Sequence, residues 1–310
     1  MSIKSKIGWL INDQLTAIPN TKTFWHDLLE NIKGLEDLTG GFTSFNLLPK
    51  KIESILITKN KPDYIIRNAS YFRKLDTNVR TISLVQDISN DPVQLDVINS
   101  SNVAIFNSPY TFSHYKDRVK TRVEIIPIGV DFNFFKPDRD YSSELGISKD
   151  SILFVGANNV TPKGIDLVTK IFENTKYNFC FVMKDNFKLK NNRAKIFNRV
   201  SSEMMFKIYN SCKLLICTSK IETQHLAGIE AAACNKPVVA TKVGSYYDLP
   251  DGEWGHLADE HTFIDKIDLV MKNSEKYSPR NFFLSRGFDK INCMNKWNQI
   301  IKDICKRNIY

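Results

Sequence analysis

The stretch TSKIETQHLAGIEAAACNKPVVAT occupies residues 218–241 and holds two glutamates eight apart, Glu222 and Glu230. The run that leads into it, KLLICTS (213–219), is apolar and reads as a strand. Residues 219–224 are polar and loop-like, HLAGIEAAA (225–233) reads as a short helix, and PVVATKV (237–243) is again β-branched. The unit is therefore strand, loop, helix, strand. On one continuous helix, eight residues at ~100° each would leave the carboxylates about 80° apart in projection and roughly two turns separated, a poor acid–base pair. With Glu222 in the loop and Glu230 inside the helix, the two can contact different parts of one extended ligand. The free N–H groups of the helix start, near Gln224 to Leu226, then lie between them, and a diphosphate fits that gap. The plainer alternatives are a first-turn acid complementing the helix dipole for Glu222 and a solvent-facing carboxylate for Glu230.

Outward from this stretch the same rhythm repeats. Strand-like runs KIGWLIN (6–12), FTSFNLL (42–48), DYIIRN (63–68), TISLVQD (81–87), NVAIFNS (102–108) and VEIIPIG (123–129) fill the first half, with helical patterns at 23–32, 92–100 and 111–118. SILFVG (151–156), NFCFVMK (178–184) and the two runs already quoted fill the second, with helices expected at 165–174, 202–211 and 226–233. Alternation of this kind predicts parallel sheets covered by helices on both faces, and two blocks of it predict two doubly wound domains. Loss of periodicity around GVDFNFFKPDRDYSSELGISKDS (129–151) marks the join. The expected domains are 1–132, 133–285 and a closing helical segment 286–310 that packs back on the first domain.

The 310 residues, 42% hydrophobic and 25% charged, suit a substantial core. No apolar run approaches the roughly 20 residues a membrane span needs. MSIKSKIGWLINDQ lacks the apolar stretch and small-residue site of a signal peptide, so no leader is expected. The six cysteines all follow residue 179, without CxxC or Cys/His metal spacing, and read as reduced packing residues of a cytoplasmic protein. The net charge of +9 favours anionic partners. Its densest source, KDNFKLKNNRAKIFNR (184–199), sets six basic residues against Asp185 alone. That run reads as a solvated loop and helix face; the sharper alternative is contact with an anionic membrane or a phosphate-bearing acceptor.

Ligands of open α/β sheets bind beyond the carboxyl ends of the strands. After SILFVG, the loop ANNVTPK lies between Gly156 and Gly164 and places Lys163 just before a helix start, where an anion is favoured; the plainer alternative is a turn with an exposed lysine. It is not a P-loop, because Gly164 rather than Ser or Thr follows the lysine. After PVVATKV comes GSYYD and then LPDGEWGHL, a turn-rich loop at the same sheet edge.

Residues 213–259 resemble the donor-binding segment of retaining glycosyltransferases of family 4, which have the GT-B fold. Glu222 and Glu230 match the family's Glu-x7-Glu spacing, CNKPVVATKVGS follows in register, VEIIPIGVDFNFFKP resembles its hinge and FVGANNVTPKGIDL its phosphate-binding loop. The resemblance covers roughly 123–259. It implies two Rossmann-like domains facing a central cleft and transfer of a sugar from a nucleotide-diphosphate sugar, with retention of configuration. Glu222 and Lys163 would be catalytic, Glu222 at the donor sugar and Lys163 neutralising the diphosphate. Glu230 would hold the ribose hydroxyls, and Gly156, Asn158, Gln224, His225 and Leu226 would complete the donor site. No metal and no cofactor is expected; UDP- or GDP-sugars are the expected substrates.

The departures are specific. Ala157, Asn158 and Asn159 stand where family members carry an arginine, so Lys22, Lys220 or Arg73 is a candidate for the missing charge. Thr223-Gln224-His225-Leu226 replaces the family's Gly-Phe-Gly-Leu insert, and Gln86-Asp87 replaces a histidine phrase of the first domain. Asn20 and Thr21 stand in a loop without the usual glycine pair. Asn20, Thr21, Gln86 and Asp87 are the expected acceptor or cleft residues, with a glycan or lipid-linked acceptor and peripheral contact at an anionic membrane. Nucleic acid is not expected as a partner. The competing expectations are a GT-B glucosyltransferase acting on modified DNA bases and a non-catalytic GT-B-like binding protein.

Overall fold

The structure is a computed structural model and describes residues 7–10, 35–37, 64–69, 78–157, 161–189 and 191–306. Two compact units divide the chain: Met1–Pro127 with Cys293–Tyr310, and Ile128–Asn292.

The first unit carries strands β1 (Ile7–Leu10), β2 (Leu35–Asp37), β3 (Tyr64–Asn68), β4 (Arg80–Val85), β5 (Val103–Phe106) and β6 (Arg122–Ile125). All pair in parallel, in the order β2-β1-β3-β4-β5-β6. Helix α1 (Pro92–Asn99) starts where the Asp91 side chain accepts from the Val93 N–H and Pro92 fixes the first turn. Helix α2 (Pro109–Ser113) is capped the same way by Ser108 on the Thr111 N–H. The helix expected at 111–118 therefore begins two residues earlier and stops at Ser113; residues 114–118 are turns. The core of this unit gathers Val85, Val97, Ile98, Ala104, Phe106 and Tyr115. The run FTSFNLL lies outside the described residues.

The second unit carries α3 (Ser142–Leu145), β7 (Ile152–Gly156), α4 (Ile165–Glu173), β8 (Phe179–Met183), β9 (Ala194–Asn198), α5 (Ser202–Ser211), β10 (Leu214–Cys217), α6 (Leu226–Ala233), β11 (Val238–Ala240), β12 (Gly255–Leu257), α7 (Phe263–Lys272) and α8 (Pro279–Ser285). Its sheet is also parallel, in the order β12-β11-β10-β7-β8-β9. Every residue of β8, β10 and β11 is buried, as expected of strands covered on both faces. The phenylalanines 154, 172, 179 and 181 fill the space between sheet and helices. A final helix, α9 (Lys290–Lys306), crosses the division between the units.

Two readings of the sequence need correction. The basic run at 184–199 is not a loop and helix face, because its second half is edge strand β9. The strand pairs Lys195 with Cys180, and its exposed positions, Lys195 and Asn198, obscured the apolar side of the alternation. The turn-rich segment 249–257 also hides a strand. Gly252 and Gly255 exchange backbone hydrogen bonds of 3.0 and 3.1 Å, and this returns the chain into three-residue β12. Among the described residues no helix is long and apolar enough to cross a membrane. Five of the cysteines (180, 212, 217, 234 and 293) are buried thiols.

Candidate functional site

In the second sheet the strand order reverses between β7 and β10, the first strand on one side and the fourth on the other. Such a switch point leaves a crevice at the carboxyl ends. The loops that follow β7 and β10 are the two that hold Lys163 and Glu222.

These loops are stitched to each other by backbone. Thr218, just past β10, donates from Oγ1 to the carbonyls of Lys163 (3.2 Å) and Gly164 (2.9 Å). The Lys220 N–H donates to the Pro162 carbonyl at 2.7 Å. Gly164 has a left-handed backbone (φ +67°) and lies so close to Thr218 that a methyl on it would stand 1.9 Å from the Thr218 oxygen. A glycine is thus required where Lys163 is handed to α4. The Lys163 ammonium contacts the Glu222 carboxylate directly, across 59 residues of sequence. Lys220, one candidate for the missing charge, is paired with Asp166 at 2.9 Å. Lys22 and Arg73 lie outside the described residues.

Glu222 sits in the loop and Glu230 on α6, with the start of that helix between them. No side chain caps α6; the Gly228 N–H turns back onto the His225 carbonyl at 3.1 Å, so the N–H groups of Leu226 and Ala227 are the ones placed for a ligand. The residue before it, His225, has a left-handed backbone (φ +65°), uncommon for a non-glycine. It is held there by a 2.8 Å hydrogen bond between Nδ1 and the Tyr246 hydroxyl. Tyr246 is in turn stacked on Trp254, ring centroids 5.1 Å apart. Gly228 makes room, since a methyl there would stand 1.7 Å from the Tyr246 oxygen. Burial pushes the His225 imidazole down to about 4, so at neutral pH it is an uncharged dipole rather than a cation.

Glu230 accepts a 2.6 Å hydrogen bond from the Tyr209 hydroxyl. Burial raises the Glu230 pKa, and the Tyr209 hydrogen bond opposes that rise. Removing the hydroxyl by Tyr209→Phe is expected to cost roughly 1.5–3 kcal/mol at neutral pH, the size of a hydrogen bond to a charged group. The sign with pH follows from linkage. The variant raises the folded-state pKa of Glu230 further above its unfolded value, so the extra cost belongs to the ionised form. It shrinks as pH falls through that pKa. Denaturant melts of both proteins at neutral and mildly acidic pH read this directly.

The other expected residues fall in different places. Gln224 is buried and spends both ends of its amide on Ile128, accepting from its N–H (2.8 Å) and donating to its carbonyl (2.7 Å). Its side chain holds the 128 segment rather than facing the helix start, while its carbonyl accepts from the Ser245 N–H at 3.2 Å. Gly156 ends β7 and accepts from the Lys184 N–H at 2.9 Å. Leu226 opens α6. Asn158, Asn20 and Thr21 lie outside the described residues. Gln86 and Asp87 follow β4 in the first unit, where the Gln86 Nε2 is buried without a partner and the Asp87 carbonyl accepts from the Tyr115 hydroxyl at 3.1 Å. Sequence reasoning assigned nothing to Thr218, Tyr209, Tyr246 or Ser245. The Ser245 hydroxyl, in the turn that backs the α6 start, is buried and has no partner. Among the described residues no group of three or more His, Cys, Asp or Glu gathers as a metal site.

This arrangement, with a cation and two carboxylates around an uncapped helix at a sheet's switch point, fits a ligand that carries both phosphate and hydroxyl groups. Residues 149–273 match the family model described as Glycosyl transferases group 1. An uncharacterized glycosyltransferase of Methanocaldococcus jannaschii is 28% identical over 183 residues, covering 56% of this chain and 50% of that protein. A probable sucrose-phosphate synthase of Thermosipho melanesiensis is 29% identical over 204 residues, covering 56% and 46%. The chain thus spans about half the length of the curated relatives it matches. Among solved structures, sucrose-phosphate synthase from Thermosynechococcus elongatus superposes with a TM-score of 0.75 at 13% identity, over 96% of this chain and 99% of that one. HepE from Anabaena, solved in complex with UDP and glucose, superposes with a TM-score of 0.72 at 16% identity, over 96% and 100%. The fold is that of the GT-B glycosyltransferases, two parallel-sheet α/β domains.

Proposed function

We propose that this protein is a glycosyltransferase that moves a sugar from a nucleotide-diphosphate sugar to a carbohydrate or lipid-linked acceptor, with retention of anomeric configuration. The observation that carries this reading is the grouping of Lys163, Glu222 and the uncapped start of α6 at the β7/β10 switch point, with Glu230 one turn along the helix. The match of residues 149–273 to glycosyl transferases group 1 supports it, as does the likeness to HepE, a protein solved with UDP-glucose.

In this reading the donor diphosphate lies at the α6 N-terminus, where N–H groups and the helix dipole favour an anion, and Lys163 adds a full charge. Glu230, oriented by Tyr209, accepts from the two ribose hydroxyls, while Glu222 faces the sugar. When the bond between the anomeric carbon and the diphosphate oxygen breaks, negative charge grows on the departing nucleotide. Fixed donors already aimed there lower the barrier.

The experiment is calorimetric titration of the wild type with UDP and with GDP. One of the two is expected to bind at submillimolar concentration, and Glu230→Ala to weaken it about 100-fold, the loss of two charge-assisted hydrogen bonds at roughly 1.5 kcal/mol each. If neither nucleotide binds the wild type at millimolar concentration, the reading fails. Retention is read from the anomeric proton coupling of the first product formed.

A further inference from the structure

The two groups expected to serve one ligand are bound to each other. The Lys163 ammonium is satisfied by the Glu222 carboxylate, and both side chains are mostly shielded, 29% and 15% exposed. The neighbouring cation, Lys220, is paired with Asp166 at 2.9 Å, but in an exposed pair. Among the described residues of these two loops, Lys163 and Lys220 are thus both already paired when a diphosphate arrives. It must take Lys163 from Glu222, and the carboxylate it displaces stays beside it, because the loop around Glu222 is fixed by the Thr218 and Lys220 hydrogen bonds to the opposite loop.

We infer that Glu222 acts as an exchangeable counterion for Lys163 that selects the sugar-bearing donor over the spent nucleoside diphosphate. This rests on the nucleotide-sugar reading above. With the donor bound, the freed carboxylate accepts from sugar hydroxyls and is compensated. With the product bound, the sugar is gone and the terminal phosphate carries an additional charge at neutral pH, its second ionisation lying near pH ~6. The carboxylate then faces that charge with nothing between. Re-forming the Lys163–Glu222 contact is the alternative, and it expels the product. One contact thus disfavours product at the end of the cycle without a comparable penalty on the donor.

The test compares Kd for UDP and UDP-glucose, and for GDP and GDP-mannose, in the wild type, Glu222→Gln, Lys163→Gln and the double variant. Glutamine keeps the shape of Glu222 and its ability to accept a hydrogen bond. For the nucleotide that the wild type binds, Glu222→Gln is expected to tighten the nucleoside diphosphate about three- to tenfold at low ionic strength, the size of a close, partly shielded charge pair. The gain shrinks with added salt, and the sugar ester is bound no tighter than before. In the Lys163→Gln background the selectivity is expected to disappear: with no cation to re-pair, the stranded carboxylate opposes diphosphate and sugar ester alike, so Glu222→Gln tightens both. A Glu222→Gln protein that binds the diphosphate no tighter than the wild type overturns this inference and leaves the nucleotide-sugar reading standing. A gain that stays confined to the nucleoside diphosphate in the Lys163→Gln background overturns it as well. A wild type that binds neither nucleotide overturns both readings.

Discussion

Gly164→Ala is expected to lower stability by roughly 3 kcal/mol, seen as a fall of about 10 °C in the Tm of the second unit. Two separate costs add. A left-handed backbone costs an alanine roughly 1–2 kcal/mol. The new methyl would also stand 1.9 Å from the Thr218 carbonyl oxygen, an overlap with backbone at the end of a buried strand rather than with a movable side chain. The loop must then withdraw from β10, and the two hydrogen bonds from Thr218 Oγ1 to the Lys163 and Gly164 carbonyls go with it. Gly146→Ala is the matched control. It has nearly the same backbone (φ +62°), but its nearest neighbour is the Lys195 ammonium at 3.5 Å, an ordinary contact. The control should lose only the backbone share. Equal melting temperatures for the two variants would mean that the contact between the loops after β7 and β10 contributes nothing. Nucleotide affinity is expected to fall in Gly164→Ala and to hold in Gly146→Ala, because only the first displaces Lys163.

The parts of the fold legible in the sequence are those fixed by local chemistry. Strands β8, β10 and β11 are buried throughout, and β7 over Ile152–Phe154, so their runs are continuously apolar and stand out. Helix α5 was legible from its amphipathic pattern, and Ser201 caps its N-terminus. Strand β12 was not, because three residues are too few to show a period. Strand β9 was hidden by charge at its exposed positions. Within the site, the placement of Glu222 in a loop and of Glu230 on a helix could be read from the switch between polar and small apolar residues. The partnerships could not. Lys163 and Glu222 are 59 residues apart and Tyr209 and Glu230 are 21 apart, and periodicity carries no information about contacts between separate elements. The left-handed His225 was equally hidden. Histidine visits that conformation more often than most side chains, yet still rarely, and here it is held by Tyr246 and by the space at Gly228, both supplied by the tertiary fold. Gln224 shows the converse: its position in the motif suggested the ligand, yet the backbone of Ile128 takes both ends of its amide.

Lys163→Ala is expected to lower kcat by about 10²–10³-fold, with a smaller rise in the KM of the donor. The magnitude is that of removing one positioned donor from a developing negative charge. The asymmetry between kcat and KM follows from when the charge is needed. On the proposed reading, the N–H groups at the start of α6 and the Glu230 carboxylate would still hold the diphosphate and the ribose in the ground state, so binding is expected to survive in part. As the glycosidic bond breaks, charge concentrates on the leaving oxygen, and that growth is what the ammonium meets. The substitution also strands the Glu222 carboxylate, which is only 15% exposed and loses its cation. Its repulsion would weaken donor binding and blur the assignment. Lys163→Ala/Glu222→Gln removes that repulsion. The double variant should recover donor affinity toward the wild type while kcat stays low, because no cation is restored to the leaving group. Guanidinium ion added to Lys163→Ala should return part of the lost rate by occupying the vacated space. A kcat within about twofold of the wild type in the single variant would refute the role given to Lys163. Recovery of both kcat and KM in the double variant would assign the whole effect to the stranded carboxylate instead.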